Sequence, residues 1–319
     1  MDTLTAQHLD RAAEIASRHA AVLSRVSTAD VVARPASVQR AEALGLTVSR
    51  VHEPTGLFDR RYVPSLSVVL RGRKRSIVGD DDQEWGRERF IITPVDLPVI
   101  AGVVDTSGDD GFVSAVWKLD PVVVGEVVAS MSTAATTTNL GTDGPPRLGT
   151  WTAPLADAFS RLLALLGAPE DIPVLFPLVS REVVLRLLQT PQAPRITAAL
   201  DGGGTASVVT EATALLTGRM AEPWPMERLA RQLRVSESTL FARFKQATGM
   251  SPTQYLKRTR LGEARRRMVL HADSAARAAA AVGYRSASHF SRDYREAYGR
   301  PPAADAVAAR EQLALAPAV

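Results

Sequence analysis

The chain of 319 residues contains no cysteine. Disulfide bonds, thiolate metal sites and cysteine-based redox sensing are therefore excluded as functions of this sequence. The sequence also lacks any apolar run of the roughly eighteen residues that a membrane-spanning helix needs. Its first residues carry Asp2, Asp10 and Glu14 and no apolar segment of the secretory type. We therefore expect a cytoplasmic protein that does not enter a membrane.

One local pattern occurs twice between Met226 and Pro302. In each copy a short helical run ends at a tight turn, a serine-rich helix start follows, and the second helix carries two apolar anchors four positions apart. Each copy then reaches Gly, which ends a helix readily, and three positions later Pro, which cannot continue one. Helix, tight turn, helix is the helix-turn-helix pattern, whose second helix can enter the major groove of DNA. The anchors and Gly/Pro pairs are Leu240/Phe244 with Gly249/Pro252, and Phe290/Tyr294 with Gly299/Pro302.

Charge separates this stretch from the rest of the chain. Residues 221–302 contain 16 Lys and Arg against 7 Asp and Glu, whereas the remainder contains 22 against 27. The net charges are therefore +9 and −5. A basic module on an otherwise acidic protein is typical of phosphate binding, so double-stranded DNA is the predicted partner. Two packed helical hairpins without a role in DNA binding are the alternative.

The segment that links the two copies is the most specific part of the pattern. It carries Pro252, Tyr255, Arg260, Leu261 and Ala264. With this spacing, the stretch resembles the DNA-binding domain of the AraC family of bacterial transcription regulators. The resemblance implies a sequence-specific regulator whose monomer places two recognition helices in successive major-groove segments. It also implies an activator that contacts RNA polymerase, and it assigns Arg260 to anchoring the fold.

The resemblance places the DNA contacts on one face of each second helix. Arg292 is the strongest candidate, because Arg can form two hydrogen bonds with O6 and N7 of guanine. Ala242 departs from the family pattern, in which Arg is common, and Phe241 either meets a thymine methyl or covers the core. For several of the basic residues, a solvated helix face is the alternative. The predicted base contacts are Ser238, Phe241, Ala242, Ser288, His289, Ser291 and Arg292, and the predicted phosphate contacts are Lys245, Lys257, Arg258, Arg265, Arg267 and Arg295.

Between residues 46 and 119 the apolar pattern changes to short β-branched runs bounded by Gly and Pro. Such runs predict about six strands in a small barrel or sandwich. The segment Pro64–Val99 resembles the N-terminal, cupin-like domain of one AraC subfamily, and the tetrapeptide Val95-Asp-Leu-Pro98 is among the matching features. Cupin enzymes hold a metal with several His and a Glu, whereas this region offers only His52. We therefore predict neither a metal nor a cofactor.

A small-molecule effector in this barrel is the predicted control of DNA binding. The candidate pocket residues are His52, Trp85, Phe90, Phe112 and Trp117, for which core packing is the alternative. Two other functions stay open for the domain: a module that only dimerises or docks a protein, and a cupin enzyme fused to a DNA-binding module. The lack of a His cluster argues against the enzyme, and the acidic segment Asp80–Glu88 is predicted to be a solvated turn. We expect no enzymatic activity.

Helical patterns return after Asp120-Pro121. The predicted helices cover Val122–Met131, Leu155–Leu166 and Ile172–Leu188, and the second of them carries an amphipathic stripe. This stripe either packs on the barrel of the same chain or, as the resemblance implies, forms a homodimer interface. Residues 132–149 are predicted to be a surface loop.

These patterns together predict an α+β protein of two domains, a cupin-like β-barrel with flanking helices followed by an all-α domain with two helix-turn-helix motifs. The predicted segments are an N-terminal helical arm (1–40), a sensor or dimerisation domain (41–190), a linker (191–207), an AraC-type DNA-binding domain (208–310) and a tail (311–319).

Overall fold

The computed structural model describes residues 1–23, 36–79, 81–131, 148–199 and 207–315. The strands are β1 (Leu46–Val51), β2 (Phe58–Tyr62), β3 (Ser65–Arg71), β4 (Arg73–Val78), β5 (Asp81–Trp85), β6 (Arg89–Thr93), β7 (Leu97–Asp105), β8 (Phe112–Lys118) and β9 (Leu148–Thr150). The N-terminal helices are α1 (Thr3–Leu23), α2 (Ala36–Ala43), α3 (Pro121–Ser130), α4 (Ala153–Ala164), α5 (Ile172–Leu188) and α6 (Ala193–Ala198). The C-terminal helices are α7 (Val208–Gly218), α8 (Met226–Gln232), α9 (Glu237–Thr248), α10 (Pro252–Leu270), α11 (Ala275–Ala281), α12 (Ala287–Tyr298) and α13 (Pro302–Leu315). The predicted α+β class with a sheet-rich first domain and a helical second domain is confirmed.

The domain limits remain predictions. Helix α6 lies within the predicted linker, residues 191–207. Residues 200–206, which include the three consecutive glycines, lie outside the described part of the chain. The same holds for Asp80, for residues 132–147 of the predicted loop and for residues 316–319 of the tail.

The described strands form two antiparallel sheets. The first has the order β1-β8-β3-β6-β9, and the second has the order β2-β7-β4-β5. Within the described ranges no strand pairing joins one sheet to the other, so the predicted barrel takes the form of two separate sheets. Because successive side chains of a strand point to opposite faces, β3 contributes to two cores. Leu66 and Val68 belong to the core with α1, α4 and α5, whereas Val69 joins Trp85 and Phe112 between the sheets.

The outer face of the second sheet packs on the C-terminal domain. Val78 and Leu97 share one buried apolar cluster with Leu216 of α7 and Tyr255 of α10. The Tyr255 hydroxyl also donates a hydrogen bond to the backbone oxygen of Asp96 at 3.0 Å. The two domains therefore share an apolar interface in addition to the chain that connects them.

The acidic segment after β4 differs from the predicted turn. Residues Asp81–Trp85 form β5, which pairs with β4 at the edge of the second sheet. Arg75 of β4 donates to both carboxylate oxygens of Asp82, at 2.9 and 2.6 Å. Pairing with β4 makes a strand of a segment whose composition alone disfavours one, which is why the sequence pattern was misleading.

The apolar helices α4 and α5 follow each other closely along the chain. Together with the short turns beside them they form a bent pair, Ala153–Gly167 and Pro169–Leu188, with an angle of 114° between its halves. This pair has the combined length and composition of a membrane span, but no single helix in the described ranges does.

Candidate nucleic-acid interface

The first helix-turn-helix consists of α8, a tight turn and α9. The hydroxyl of Ser236 caps α9 by accepting a hydrogen bond from the backbone nitrogen of Thr239 at 3.1 Å. Arg234 in the turn has a φ of 57°, a left-handed conformation that costs a non-glycine residue on the order of 1 kcal/mol. Leu240 and Phe244 are completely buried, as predicted for the anchors of this copy. They fix α9 on the domain and leave its opposite face exposed.

The second helix-turn-helix consists of α11, a tight turn and α12. Gly283 in the turn has a φ of 88°, and a Cβ at this position would lie 2.3 Å from the backbone oxygen of Ala221. Only glycine fits this turn without moving the chain. Ser286 caps α12 by accepting a hydrogen bond from the backbone nitrogen of His289 at 3.3 Å. Both predicted anchors of this copy are buried, so the second predicted motif is confirmed as well.

Helix α10 joins the two motifs. It begins with a capping box, in which Ser251 and Gln254 each bond the backbone of the other. Arg260 donates to the backbone oxygens of Met220 and Glu222, both at 2.7 Å. This position fits the anchoring role that the family resemblance implies for Arg260.

The predicted base-contacting residues lie on the open faces of the two second helices. Ser238, Phe241, Ala242, Ser288, His289 and Arg292 are exposed, and Ser291 is half-buried. Phe241 is 36% exposed, so part of its side chain is open to a ligand while the larger part is covered by the protein. On α12, Ser288, Ser291 and Arg292 line one shallow depression together with Arg295. The structure thus brings these residues together on one face of each helix, while their contact with bases stays a prediction.

A buried carboxylate orients part of the α12 face. Asp293 is 7% exposed, and its Oδ1 lies 3.3 Å from Nζ of Lys257. Its Oδ2 accepts a hydrogen bond from the Tyr284 hydroxyl at 3.1 Å and lies 3.5 Å from Nε2 of His289. Burial raises the pKa of the Tyr284 hydroxyl, and the charge of Asp293 raises it further. The sequence analysis missed Asp293, although its spacing of four from His289 on one helix face was a usable signal.

The predicted phosphate-contacting residues fall into two groups. Lys245 and Arg295 are exposed and have no charged partner among the described residues, so a phosphate contact would displace no existing ion pair. Lys257, Arg258 and Arg267 are half-buried. Lys257 pairs with Glu296 at 2.9 Å as well as with Asp293, and Arg267 pairs with Glu263 at 2.9 Å. Contacts of Lys257 and Arg267 with phosphate would exchange an existing partner for DNA.

Arg265 does not fit the predicted phosphate contact. Its side chain is 10% exposed and donates through Nε to Asp305 at 2.7 Å. It also pairs with Asp59 of the N-terminal domain at 3.2 Å. Burial lowers the pKa of the Arg265 guanidinium, but the hydrogen bond with Asp305 and the charge of Asp59 raise it above its ordinary value. Because two carboxylates lie beside α10, the side chain of Arg265 points into the protein instead of toward solvent. No local sequence pattern revealed these partners.

The five predicted pocket residues do not form one pocket. Trp85 and Phe112 lie in the core between the sheets, whereas Phe90 and Trp117 lie on the opposite face of the first sheet, against the helices. His52 is exposed. The structure thus places the four aromatic residues in the cores of the N-terminal domain, as the alternative prediction of core packing had it. Among the residues that the structure describes, no group of three or more His, Cys, Asp or Glu is arranged to hold a metal ion.

Comparison with known proteins agrees with this architecture. Residues 43–195 match the model of the AraC-type transcriptional regulator N-terminus, and residues 229–305 match that of a helix-turn-helix domain. A stretch of 74 residues is 43% identical to the transcriptional activator RhaS of Pectobacterium atrosepticum and covers 23% of this chain and 26% of RhaS. A putative AraC-like transcription regulator of Streptomyces lividans is 29% identical over 219 residues, which cover 66% of this chain and 71% of that protein.

Two solved structures are also similar. ToxT of Vibrio cholerae, bound to a naphthalenyl butenoic acid, aligns with 82% of this chain and 97% of its own at 12% identity and a TM-score of 0.48. The DNA-binding domain of AdpA in complex with a target DNA aligns with 34% of this chain and 97% of its own at 28% identity and a TM-score of 0.32. The match to RhaS spans only about a quarter of that protein. With an AraC-type N-terminal domain and a double helix-turn-helix domain in one chain, the protein belongs to the AraC family of DNA-binding transcription regulators.

Proposed function

We propose that each monomer reads two successive major-groove segments of double-stranded DNA, one with α9 and one with α12. The observation that carries this proposal is the matched construction of the two helices, in which buried anchors lie on one face and exposed polar or basic residues lie on the other. Recognition helices of this kind fit major-groove segments about 34 Å apart on one side of the duplex. The site of one monomer is therefore asymmetric.

Arg292 is the proposed main determinant in the second segment. It is exposed on α12 beside Ser288 and Ser291, and its guanidinium can form two hydrogen bonds with guanine. In the first segment, Phe241 and Ala242 offer apolar contacts, for which a thymine methyl is the matching group. We therefore propose that the second motif supplies most of the hydrogen-bonded readout.

Binding of purified protein to a selected operator at a series of salt concentrations tests this function. Five of the six predicted phosphate contacts remain after Arg265 is set aside, so the plot of log K against log salt should fall with a slope of roughly −4 to −5. A flat plot would contradict DNA recognition through a basic face. The matched control is the same series on a scrambled duplex, where the slope persists and the affinity is lower.

For the N-terminal domain we propose control of DNA binding by a small-molecule effector. The proposal is supported by the contact between the two domains and by a cleft of ≈ 320 Å³ beside it, rather than by the aromatic residues first considered. Leu57, Ile77 and Ile100 line the cleft from the sheet side, and Tyr298 and Arg300 line it from the C-terminal domain. Mass spectrometry of the protein under native conditions, after purification from its own host, would detect a retained ligand. Recovery of only the bare mass, with DNA binding unchanged by host metabolite extract, would favour a domain that acts without an effector.

We also propose that the chain forms a homodimer through α5 and the adjacent α3. Val174 and Leu178, four positions apart on α5, are 67% and 62% exposed, and Val122 of α3 is 65% exposed. Exposed apolar patches mark interaction sites. Helices α3 and α5 are in contact, and Arg181 of α5 forms an ion pair with Glu126 of α3. A second copy of the same helices would cover the exposed apolar side chains with a twofold-symmetric interface.

As for mechanism, we propose a cytoplasmic activator that contacts RNA polymerase and has no catalytic activity. The family relation to RhaS, which is named as an activator, supports activation. For the acidic segment, the pairing of the exposed Asp82 with Arg75 supports a structural role in the edge strand rather than an acid–base role. Metal analysis of the purified protein and a reporter assay on a promoter with the selected operator test these two points separately.

A further inference from the structure

Asp59 of β2 connects the N-terminal domain with two helices of the DNA-binding domain. Its Oδ2 accepts a hydrogen bond from Arg265 of α10 at 3.2 Å. Its Oδ1 accepts one from the hydroxyl of Tyr298, the last residue of α12, at 2.7 Å. The side chains of Asp59 and Arg265 are 22% and 10% exposed. This contact is therefore largely shielded from water, unlike the surface ion pairs whose contribution is small.

The partners of Asp59 are themselves held firmly. The guanidinium groups of Arg258 and Arg265 lie 5.2 and 5.0 Å from the centre of the Tyr298 ring, within the range of a cation–π contact. Burial raises the pKa of the Tyr298 hydroxyl, and the charge of Asp59 raises it further, so the hydroxyl keeps its proton and donates it to Asp59. Asp305 binds Arg265 from the other side at 2.7 Å. The end of the second recognition helix is thus fixed to the N-terminal sheet through one carboxylate.

Gly262 in the middle of α10 explains how the sheet approaches so closely. A glycine inside a helix costs about 1 kcal/mol relative to alanine. A Cβ at this position would lie 3.3 Å from Oδ1 of Asp59, tighter than ordinary contact. A larger side chain would push β2 away from α10. The glycine that weakens the helix is therefore the residue that permits the contact between the domains.

The N-terminal domain contacts the first motif at a separate place. The turn at Gly79 lies against Met250, which follows α9, and a Cβ at Gly79 would be 2.7 Å from Cγ of Met250. Tyr255 at the start of α10 donates to the backbone of Asp96. The second sheet thus reaches both helix-turn-helix units, one at each end of α10.

This docking leaves the DNA-reading faces open. The predicted base-contacting residues of α9 and α12 are exposed or half-buried while the N-terminal domain is in place. The N-terminal domain therefore does not block DNA by covering these faces. What it can alter is the position of the two recognition helices relative to each other.

We propose that Asp59 is a positioning residue for DNA reading, through which the N-terminal domain holds the two recognition helices at one fixed separation. When Asp59 is lost, Arg265 keeps Asp305 as a partner, and Phe290 and Tyr294 keep α12 in the core of its own domain. What is lost is the bond between Tyr298 at the end of α12 and the N-terminal sheet. The proposal deepens the control of DNA binding proposed above and rests on it for its regulatory role. The separation itself is measurable without DNA or effector.

The absence of cysteine allows this separation to be measured in the full chain. Gln246→Cys on α9 and Ala287→Cys on α12 place two spin labels at exposed positions outside the predicted contact residues. Pulsed electron paramagnetic resonance should give one narrow distance distribution in this background. Addition of Asp59→Asn should broaden the distribution at least twofold. Asp82→Asn, which removes an aspartate–arginine pair inside the N-terminal domain, should leave it unchanged.

Gly262→Leu supplies a second test that keeps Asp59. Leucine favours the helix more than glycine does, so α10 itself is stabilised, while the new side chain separates α10 from β2. The expected result is the same twofold broadening with an unchanged or higher melting temperature. A wild-type distance distribution in both Asp59→Asn and Gly262→Leu would overturn the proposal. Loss of DNA binding by the unlabelled parent would instead count against the proposed function and leave this distance result intact.

Discussion

Gly283 lies in the turn between α11 and α12 and has a φ of 88°. A Cβ added at this position would lie 2.3 Å from the backbone oxygen of Ala221. Gly299 follows the same helix with a φ of 71°, yet a Cβ there would meet nothing within 4 Å. Both positions favour glycine for their backbone conformation, but only Gly283 has a steric reason as well. A comparison of the two positions therefore separates the cost of the left-handed conformation from the cost of the steric clash.

Gly283→Ala should therefore lower the free energy of unfolding by roughly 2–4 kcal/mol, since a backbone clash is added to the cost of the left-handed conformation. Gly299→Ala should lower it by only about 1 kcal/mol. Urea unfolding of both variants, followed by circular dichroism, measures the difference. Equal losses would mean that the contact with Ala221 relaxes without cost.

Arg234 provides the opposite case, a non-glycine residue with a φ of 57° in the first turn. Arg234→Gly should raise the free energy of unfolding by roughly 0.5–1 kcal/mol, because relief of the strained conformation outweighs the extra entropy of the unfolded chain. Thermal unfolding detects this as a higher melting temperature. A lower melting temperature would indicate that the exposed side chain of Arg234 makes a stabilising contact.

At this scale, sequence reasoning succeeds where a residue's role depends on near neighbours. The anchor pairs spaced by four, such as Leu240 with Phe244, follow from helix periodicity alone, and both are buried. The role of Arg265 depends on Asp59, which is 206 positions away in the sequence. No local pattern contains such a pair, so Arg265 was assigned to DNA when it serves the contact between the domains.

Among the elements, α5 shows most clearly how composition and position differ. Its C-terminal half is buried at Val183, Val184 and Leu187, while its first half exposes Val174 and Leu178. The charged residues of the helix, Arg181, Glu182 and Arg186, all lie in the buried half, so composition alone would have placed the buried part at the wrong end. The exposed half is the element on which the proposed homodimer depends.

Leu178→Glu should convert the homodimer to a monomer, because a charge would be buried in an apolar interface. Sedimentation velocity at several protein concentrations measures the association state. The matched control is Leu270→Glu, an equivalent change at a position 59% exposed at the end of α10. If the wild-type chain were monomeric at all concentrations, or if Leu178→Glu associated like the wild type, the dimer proposal would be wrong.

The sheets illustrate a second limit at this scale. Six strand segments were predicted from β-branched runs between Gly and Pro, and each of them contains a strand. Three strands were missed, namely β2, β5 and β9, and the last of these begins inside the predicted loop of residues 132–149. In β5, Asp, Gln and Glu disfavour a strand, and its stability comes from pairing with β4. Cross-strand partners are set by the fold, so a single sequence could not supply them.

In the whole molecule, an acidic, sheet-rich N-terminal domain packs on a basic, helical DNA-binding domain. It leaves the predicted base-contacting faces of α9 and α12 open. The class of fold, the double motif and the DNA partner were all predictable, since each depends on patterns within about a hundred residues. The domain interface was not predictable, because it joins β2 and the β4–β5 turn to helices that lie far away in the sequence. Control of DNA binding through that interface is therefore a proposal that rests on the structure and not on any sequence pattern.

Genome-wide binding of the tagged full-length protein, beside Arg292→Ala and the control Arg186→Ala on α5, tests the central claim most directly. Reading by both motifs predicts discrete sites with an asymmetric sequence, in which Arg292→Ala weakens preference in one segment about fivefold or more and Arg186→Ala changes nothing. Removal of a two-bond contact with guanine corresponds to about 1–3 kcal/mol of discrimination. Sites that are symmetric, or that keep their full sequence preference in Arg292→Ala, would contradict readout by α12.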